Sequence, residues 1–578
     1  MPDKHRSPLL RFARVWLRKP FGVAGAYLAA LLAAAMAVAA PWPIKIIIDN
    51  VLLKQPVGVP VFDGMPTEAQ VITMASVAAA LAAGAAMASA VERIANARIR
   101  ERMTQDLRKL TLDHMLGLPV LGRHADRNGE LVLRLVDDTG QIARLYCKTL
   151  PVLFRHATTF ILTIIGMFLL SAMMGMLGLV IGLLLALVVR QSAKALRSTS
   201  RAKRKREGKV AAFAQEVLRG LPSVQSVGAE PAVRERFLAI NADATRTGVE
   251  ETRVQVLLER QMQIASGVAL AFVVGLGGWL VTQNQLTVGS LTVCVAYLNQ
   301  LLKPVEKINE LAGAITGALT RADRLAELLD RPNGLEEPKG ATAPRPLTPV
   351  LELRGCSFSH HSDGQDIPAL RAATTRINPG ECISISGPSG AGKSTLLGLL
   401  LRLYDPDSGE LVLSGQSYRE WPIVELRKQF AVMRQETHLF AGTIRNALQF
   451  GIDAKSDDEL RDALRNVALD DLVARAGGSL DAPLGEDGGN LSGGQRARLA
   501  LARSLLTDRP FLLLDEPFAN IDAESQSVIL ATLERERGRR TIIIVSHQTL
   551  PAGFADRNLH LNNGRLVEAL QAGRDRAP

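Results

Sequence analysis

The sequence predicts an all-α six-helix transmembrane domain with long cytoplasmic helical extensions, followed by a soluble α/β domain. Three observations carry this. Four long runs without Asp, Glu, Lys or Arg lie in the first 302 residues, and basic segments alternate with them. After a Pro-rich linker the pattern changes to short apolar strands alternating with helices. With 578 residues, 47% of them apolar and 22% charged, and a mean hydropathy of +0.12, the chain is neither disordered nor typical of a purely soluble enzyme.

The charge-free runs are Pro20 to Ile44, Ala69 to Val91, Ala157 to Val189 and Gln261 to Leu302. A span needs about 20 apolar residues, so the first two runs hold one helix each. The last holds two, with a polar hinge at Thr282–Gly289. The third also holds two, if the first of them begins near Cys147, accepts Arg155 and turns around Ser171–Gly175. The spans then fall near 21–44, 69–91, 147–170, 173–193, 263–282 and 288–305, within a membrane domain of residues 1–330. The Ala-rich end of the first run resembles a secretory signal with a cleavage site. It is too long for one, and Pro41-Trp42-Pro43-Ile44-Lys45 continues it, so it reads as a retained span.

Charge orients the spans. The net charge of +11 is unevenly spread: residues 1–340 hold 41 Lys and Arg against 27 Asp and Glu, and the remainder holds 27 against 30. The excess therefore shares a half with the apolar runs, which fits a membrane rather than nucleic acid. Arg14, Arg18 and Lys19, then Arg98 to Lys109, then Arg201 to Lys209 mark the cytoplasmic side. The first opposite loop carries only Lys45, Asp49, Lys54, Asp63 and Glu68, and the other two carry no charge. Both termini are expected in the cytoplasm. The basic run Arg201–Lys209 reads as a headgroup-facing or solvated helix. Cys147, Cys294, Cys356 and Cys382 are far apart and lack metal spacing, so neither a disulfide framework nor a zinc site is expected.

The long segments 92–146 and 190–260 have helical patterning and should extend the spans into the cytoplasm. A linker covers 331–349, and 350–578 forms the α/β domain. There the apolar strand Cys382–Ser386 runs into Gly387-Pro388-Ser389-Gly390-Ala391-Gly392-Lys393-Ser394-Thr395, which opens a helix. That context is what a P-loop requires: glycines let backbone N–H groups surround phosphates at a helix N-terminus. Lys393 should reach the β- and γ-phosphates and Ser394 should ligate Mg²⁺. Downstream, the strand Phe511–Asp515 ends in Asp515 and Glu516. Asp515 suits the Mg²⁺ shell, and Glu516 suits a base beside the attacking water.

Between these lies Leu491-Ser492-Gly493-Gly494-Gln495, and here the chain resembles the ATP-binding cassette (ABC) family, whose signature this is. The resemblance extends over nearly the full length. Pro43 to Val51 is similar to the end of the first span in the family's exporters, and Gly289–Val293 with Leu302–Val305 to their fifth-to-sixth span region. It implies a half-transporter: one membrane domain fused to one ABC-type ATPase domain, working as a homodimer or with a related half. It implies that Gln435 is the Q-loop glutamine touching Mg²⁺, His547 the switch histidine at the γ-phosphate and Asp522 the D-loop aspartate. Ser492, Gly494 and Gln495 would reach the γ-phosphate bound on the opposite subunit. Short coupling helices are implied near Gly129–Asp138 and Val217–Val227.

Three departures stand out. His360 occupies the place of the family's usual adenine-stacking Tyr, where an imidazole stacks less well. The D-loop reads Phe518-Ala519-Asn520-Ile521-Asp522 where Thr-Ser-Ala-Leu-Asp is commoner. The chain starts close to the membrane, with no room for an N-terminal peptidase domain. For substrate, Arg155 and His156 in the third span either face the central cavity and attract an anionic group or anchor at the inner interface. Lys303 has the same two readings. The expectation is thus an ATP hydrolase in a bacterial inner membrane that exports or flips a hydrophobic or amphipathic substrate using ATP and Mg²⁺. Lipid, drug and peptide remain open. A soluble cassette ATPase and an ATP-gated channel are the rival readings.

Overall fold

The computed structural model describes residues 8–568 apart from 55–62, 64, 119–127, 333, 336–347, 363–364, 436–437, 441, 476, 486–487, 520 and 549. The side chains of 8, 128, 189–197, 302–310, 312 and 361–362 also lie outside the description. Lys303, Asn520 and most of the linker therefore fall outside the described residues. The chain divides into two units, residues 1–115 with 128–331, and 116–127 with 332–578.

The first unit is helical because backbone N–H and C=O groups in hydrocarbon must be satisfied within the segment. Pro20–Ala39 opens on proline, whose missing N–H costs nothing in the first turn. Trp42–Ile46 follows, then a π-helical turn over Ile47–Leu52. Thr67–Gly117, Ala172–Arg219, Glu230–Thr282 and Val288–Leu329 are 51, 48, 53 and 42 residues long. At 1.5 Å per residue, a helix of about 50 residues measures about 75 Å, well over the roughly 30 Å of hydrocarbon. Residues 128–170 run helically through two π-turns, Arg134–Asp138 and Leu145–Thr149. Among the described residues, four helical runs are long and apolar enough to cross a membrane, and two shorter apolar stretches, Ala172–Val188 and Val288–Leu301, lie within the longer helices. Ser171, extended at φ −163° and ψ 132°, separates Leu150–Leu170 from the helix that follows.

Lys45 and Asp49 differ from their loop assignment. Both lie in helical turns, and Asp49 is buried. Its carboxylate accepts the Thr287 hydroxyl at 2.5 Å and the Gly289 N–H at 2.8 Å, and it pairs with Lys45 Nζ at 3.0 Å. The end of the first run is thereby fastened to the N-terminus of the last helix. Only glycine fits at 289, because a Cβ there would lie 2.6 Å from the Lys45 carbonyl oxygen. Further along the same pair, Trp42 Nε1 donates to the Tyr297 hydroxyl at 2.8 Å, which donates to the Val38 carbonyl at 2.9 Å. Gln300 donates to the Ala37 carbonyl at 2.9 Å.

Beyond the spans, the basic run is paired internally rather than wholly solvated. Lys203 meets Glu251 at 2.9 Å, and Arg206 pairs with Asp243, so Ala172–Arg219 and Glu230–Thr282 are joined by charge as well as by apolar contact. Buried Asp138 takes Arg324 at 2.8 Å.

The second unit holds β1 (Leu351–Ser362), β2 (Gln365–Ile377), β3 (Cys382–Ser386), β4 (Ser408–Leu413), β5 (Gln416–Ser417), β6 (Phe430–Met433), β7 (Gly442–Thr443), β8 (Pro483–Leu484), β9 (Phe511–Asp515), β10 (Thr541–Val545), β11 (Arg557–Asn562) and β12 (Arg565–Glu568). A six-stranded sheet has the order β12-β11-β3-β10-β9-β6, parallel except for β12 at its edge. Its inner strands β9 and β10 are buried at every residue, as expected where both faces are covered. Two apolar cores flank the sheet, one including Leu499, Leu512 and Ile544, the other Leu396, Leu513 and Ile543. β2-β1-β4-β5 form a separate antiparallel sheet. The segments following β3, β6, β9 and β10 emerge from the same carboxyl edge of four parallel strands, the crevice where open α/β sheets bind ligands.

Asp49→Ala would leave a partly buried ammonium and two donors without their acceptor. We expect it to cost about 3 kcal/mol and to lower the thermal midpoint of the detergent-solubilised chain by several degrees, with Thr287→Val losing about 1 kcal/mol. An unchanged midpoint for Asp49→Ala would contradict the fastening.

Candidate functional site

At the end of β3 the chain turns through Gly387 to Gly392 into the helix Lys393–Leu400. Gly392 has φ +104°, and a Cβ there would strike the Ala369 carbonyl at 2.2 Å. The loop therefore needs glycine at this position for both conformation and space. Lys393 is buried and donates to the Gly387 carbonyl at 2.7 Å and the Pro388 carbonyl at 3.0 Å. Ser389 and Gly390 are exposed on the loop, and Ser394 is exposed at the head of the helix.

β9 delivers Asp515 and Glu516, both buried. Glu516 sits at φ +53°, a left-handed conformation uncommon for a residue with a side chain. Its own N–H is held by the Val545 carbonyl at 2.8 Å. Gln435 Nε2 donates to Glu516 Oε2 at 3.1 Å, and His547 Nε2 lies 2.9 Å from the same oxygen. Three residues from three different strand ends thus meet at one carboxylate oxygen. Ser394, Gln435 and Asp515 line a single cavity of about 360 Å³ with His360, Thr395, Tyr404 and Arg434. A hydroxyl, a carboxamide and a carboxylate are hard oxygen donors, the set that Mg²⁺ prefers.

Ser492 caps the helix Gly493–Leu505. Its hydroxyl accepts the Gln495 N–H at 3.2 Å while Gln495 Oε1 accepts the Ser492 N–H at 2.9 Å. This reciprocal pair fixes the helix start, with Ser492 exposed and Gly494 partly so. Asp522 caps Ala523–Glu536 by accepting the Ser525 N–H at 2.8 Å, and that bond holds its carboxyl below the ordinary value.

His360 is held through a ring nitrogen and packs edge-on to its aromatic neighbours. Its Nε2 lies 2.9 Å from the Thr395 hydroxyl, and its ring stands edge-on to Phe358 and Tyr404. Tyr404 was missed in the sequence, although an aromatic shortly after a P-loop helix was a signal to follow. It stacks on Phe358 at 4.4 Å and donates to the Thr395 carbonyl at 3.0 Å.

In the first unit, Arg155 is ion-paired to buried Glu92 at 3.0 Å. It also lines a cavity of about 320 Å³ with His156, Gln141, Arg144, Lys148 and Thr149. The partner went unnoticed because Glu92 begins where the second charge-free run stops. Arg144 and Lys148 lie four residues apart on the same helical run, so they share a face. Neither has a carboxylate partner among the described residues.

Two family models match the chain: the ABC transporter transmembrane region over residues 23–305 and the ABC transporter over residues 370–519. An ATP-dependent lipid A-core flippase of Escherichia coli (strain K12) is 28% identical over 468 residues, covering 81% of this chain and 80% of the relative. The protein of the same name from Shigella flexneri matches to the same extent. Among solved structures, a bacterial Atm1-family ABC exporter with ATP bound matches with a TM-score of 0.75 at 23% identity, covering 96% of this chain and 95% of that one. That likeness carries the fold.

Burial pushes the Asp515 carboxyl above its ordinary value, against the pull of the Gln435 N–H and with the Glu516 charge adding to the rise. A carboxyl raised in the folded state loses stability as pH climbs from its unfolded value toward its folded one. Asp515→Asn should therefore raise the thermal midpoint at neutral pH in buffer free of metal and nucleotide, with the gain vanishing near about pH 4. A lowered midpoint at neutral pH would contradict this assignment.

Proposed function

From the premise that the chain belongs to the ABC transporter family, we propose a homodimeric exporter that moves an amphipathic substrate out of the cytoplasmic leaflet of a bacterial inner membrane. The chain binds ATP, and its ATPase domain is coupled to transmembrane export. The observation that carries the catalytic reading is the meeting of Gln435, Glu516 and His547 at one oxygen beside the P-loop.

In this reading Lys393 leaves the Gly387 and Pro388 carbonyls for the β- and γ-phosphates, while the loop N–H groups from Ser389 to Thr395 surround them. Ser394, Asp515 and Gln435 would hold Mg²⁺, which when bound neutralises phosphate charge. Glu516 Oε2 faces the attacking water and takes its proton. Gln435 and His547 orient that carboxylate, and His547 turns to the γ-phosphate when nucleotide is present. One P-loop leaves a face of the triphosphate open. Ser492, Gly494 and Gln495 of a second copy, exposed or partly exposed, supply N–H groups and a hydroxyl to close it, and Asp522 fixes the segment linking the two sites. Closure would switch the spans from inward- to outward-facing, and hydrolysis would reset them. The segments Gly129–Asp138 and Val217–Val227 are the proposed coupling elements.

For the substrate, the cavity lined by Arg144, Lys148, Arg155 and His156 favours an anionic headgroup. Glu92 already balances Arg155, so in this reading Arg144 and Lys148, without a carboxylate partner among the described residues, supply the charge for it. The names of the E. coli and Shigella relatives make an anionic lipid the first substrate to try.

Glu516→Gln should abolish ATP turnover, by at least about a hundredfold as for loss of a positioned base, keep ATP binding and trap a closed dimer. Lys393→Ala should lose nucleotide affinity instead. Normal turnover by Glu516→Gln would refute the assigned base. Undiminished substrate flux in that variant would point to an ATP-gated channel.

A further inference from the structure

His360 stands on β1 but is tied to the helix that opens the P-loop. Its Nε2 lies 2.9 Å from the hydroxyl of Thr395, the third residue of that helix, and Thr395 is buried. The Thr395 carbonyl in turn accepts the Tyr404 hydroxyl at 3.0 Å. Phe358 fixes Tyr404 by stacking at an interplanar angle of 24°, whereas the His360 ring meets Phe358 at 85° and Tyr404 at 71°. The imidazole is therefore held by its edge, through a directed bond to the phosphate-binding turn.

We propose that His360 sets nucleotide affinity by positioning the Thr395 hydroxyl for the phosphates rather than by stacking on the base. The chain then recognises the triphosphate and discriminates weakly among bases. This rests on the reading of the P-loop as the ATP site. Two physical considerations support it. A stacking ring contributes about 1–3 kcal/mol per base through its π-face, whereas the contact that holds this imidazole runs through its ring nitrogen to Thr395. A hydrogen bond contributes about 0.5–1.5 kcal/mol net, and more where one partner is charged, so an oriented hydroxyl at the triphosphate offsets much of the missing stack. His360 is thus a positioning residue for the phosphate contact.

The test uses the full-length chain in nanodiscs and measures displacement of a fluorescent ATP analogue by ATP, GTP, UTP and inorganic tripolyphosphate. His360→Gln keeps a side chain able to bond Thr395 without a ring, and His360→Phe keeps a ring without the bond. We expect ATP, GTP and UTP to bind wild type within about threefold of one another. His360→Gln should stay within about twofold of wild type, and His360→Phe should weaken all three nucleotides roughly three- to tenfold, the size of one hydrogen bond. On a Thr395→Val background, His360→Phe should add no further loss. Thermal midpoints of each variant separate lost binding from lost folding. The opposite order, with Phe equal to or tighter than wild type and Gln weaker for ATP, overturns the proposal and restores stacking. A strong preference of wild type for ATP over UTP also overturns it. Absence of any nucleotide binding by wild type overturns the ATP-site reading itself, with Lys393→Ala as the reference for a disabled P-loop.

Discussion

A carboxylate buried away from water is stable only when its lone pairs are met by donors or an opposite charge. Three such groups organise this chain. Asp49 gathers Lys45, Thr287 and Gly289 and fastens the first apolar run to the last helix. Glu92 takes Arg155 and so joins the second run to the third. Glu516 gathers Gln435 and His547 from neighbouring strand ends. In the first two cases the satisfied charge fixes which helices run together. In the third it holds a reactive oxygen at the mouth of a parallel sheet, in a strained backbone conformation maintained by the Val545 carbonyl. The same requirement thus shapes both the membrane scaffold and the chemistry.

Much of this was legible in the sequence where the signal is local. The strands Cys382–Ser386 and Phe511–Asp515 occupy the residues their apolar runs mark, and the helix opens at Lys393 where the glycine loop ends. Their neighbours in the motif were sufficient to place them. What the sequence hid depends on partners distant along the chain. Lys45 and Asp49 read as an outward loop because charge interrupts apolarity, yet a buried carboxylate with three partners belongs comfortably in a helix. Arg155 could be located but not paired, since Glu92 lies 63 residues earlier. Whether His360 offers a face or an edge is decided by Thr395 and Tyr404, which no local pattern connects to β1. The π-turns leave no periodic trace at all.

The departures from the family pattern fall at recognition points, while the residues expected to handle water and phosphate are all present. His360 stands at the place of the family's usual stacking tyrosine and bonds Thr395, and the D-loop has Ala519 where serine is commoner while keeping the Asp522 cap. The four cysteines are buried and free. On the substrate side, Arg144 and Lys148, which have no carboxylate partner among the described residues, stand together beside the cavity that Arg155 lines. A dianionic headgroup would match them in charge.

The central claim is that two copies of this chain work together on an anionic amphiphile. Native mass spectrometry of the protein released gently from its own membrane reads stoichiometry and retained ligand in one spectrum. The account predicts the mass of two chains carrying a distinct anionic lipid, with that lipid lost when Arg144 and Lys148 are both changed to Ala. A single-chain mass under conditions that preserve other membrane dimers, or a ligand-free dimer identical in the double variant, would contradict it.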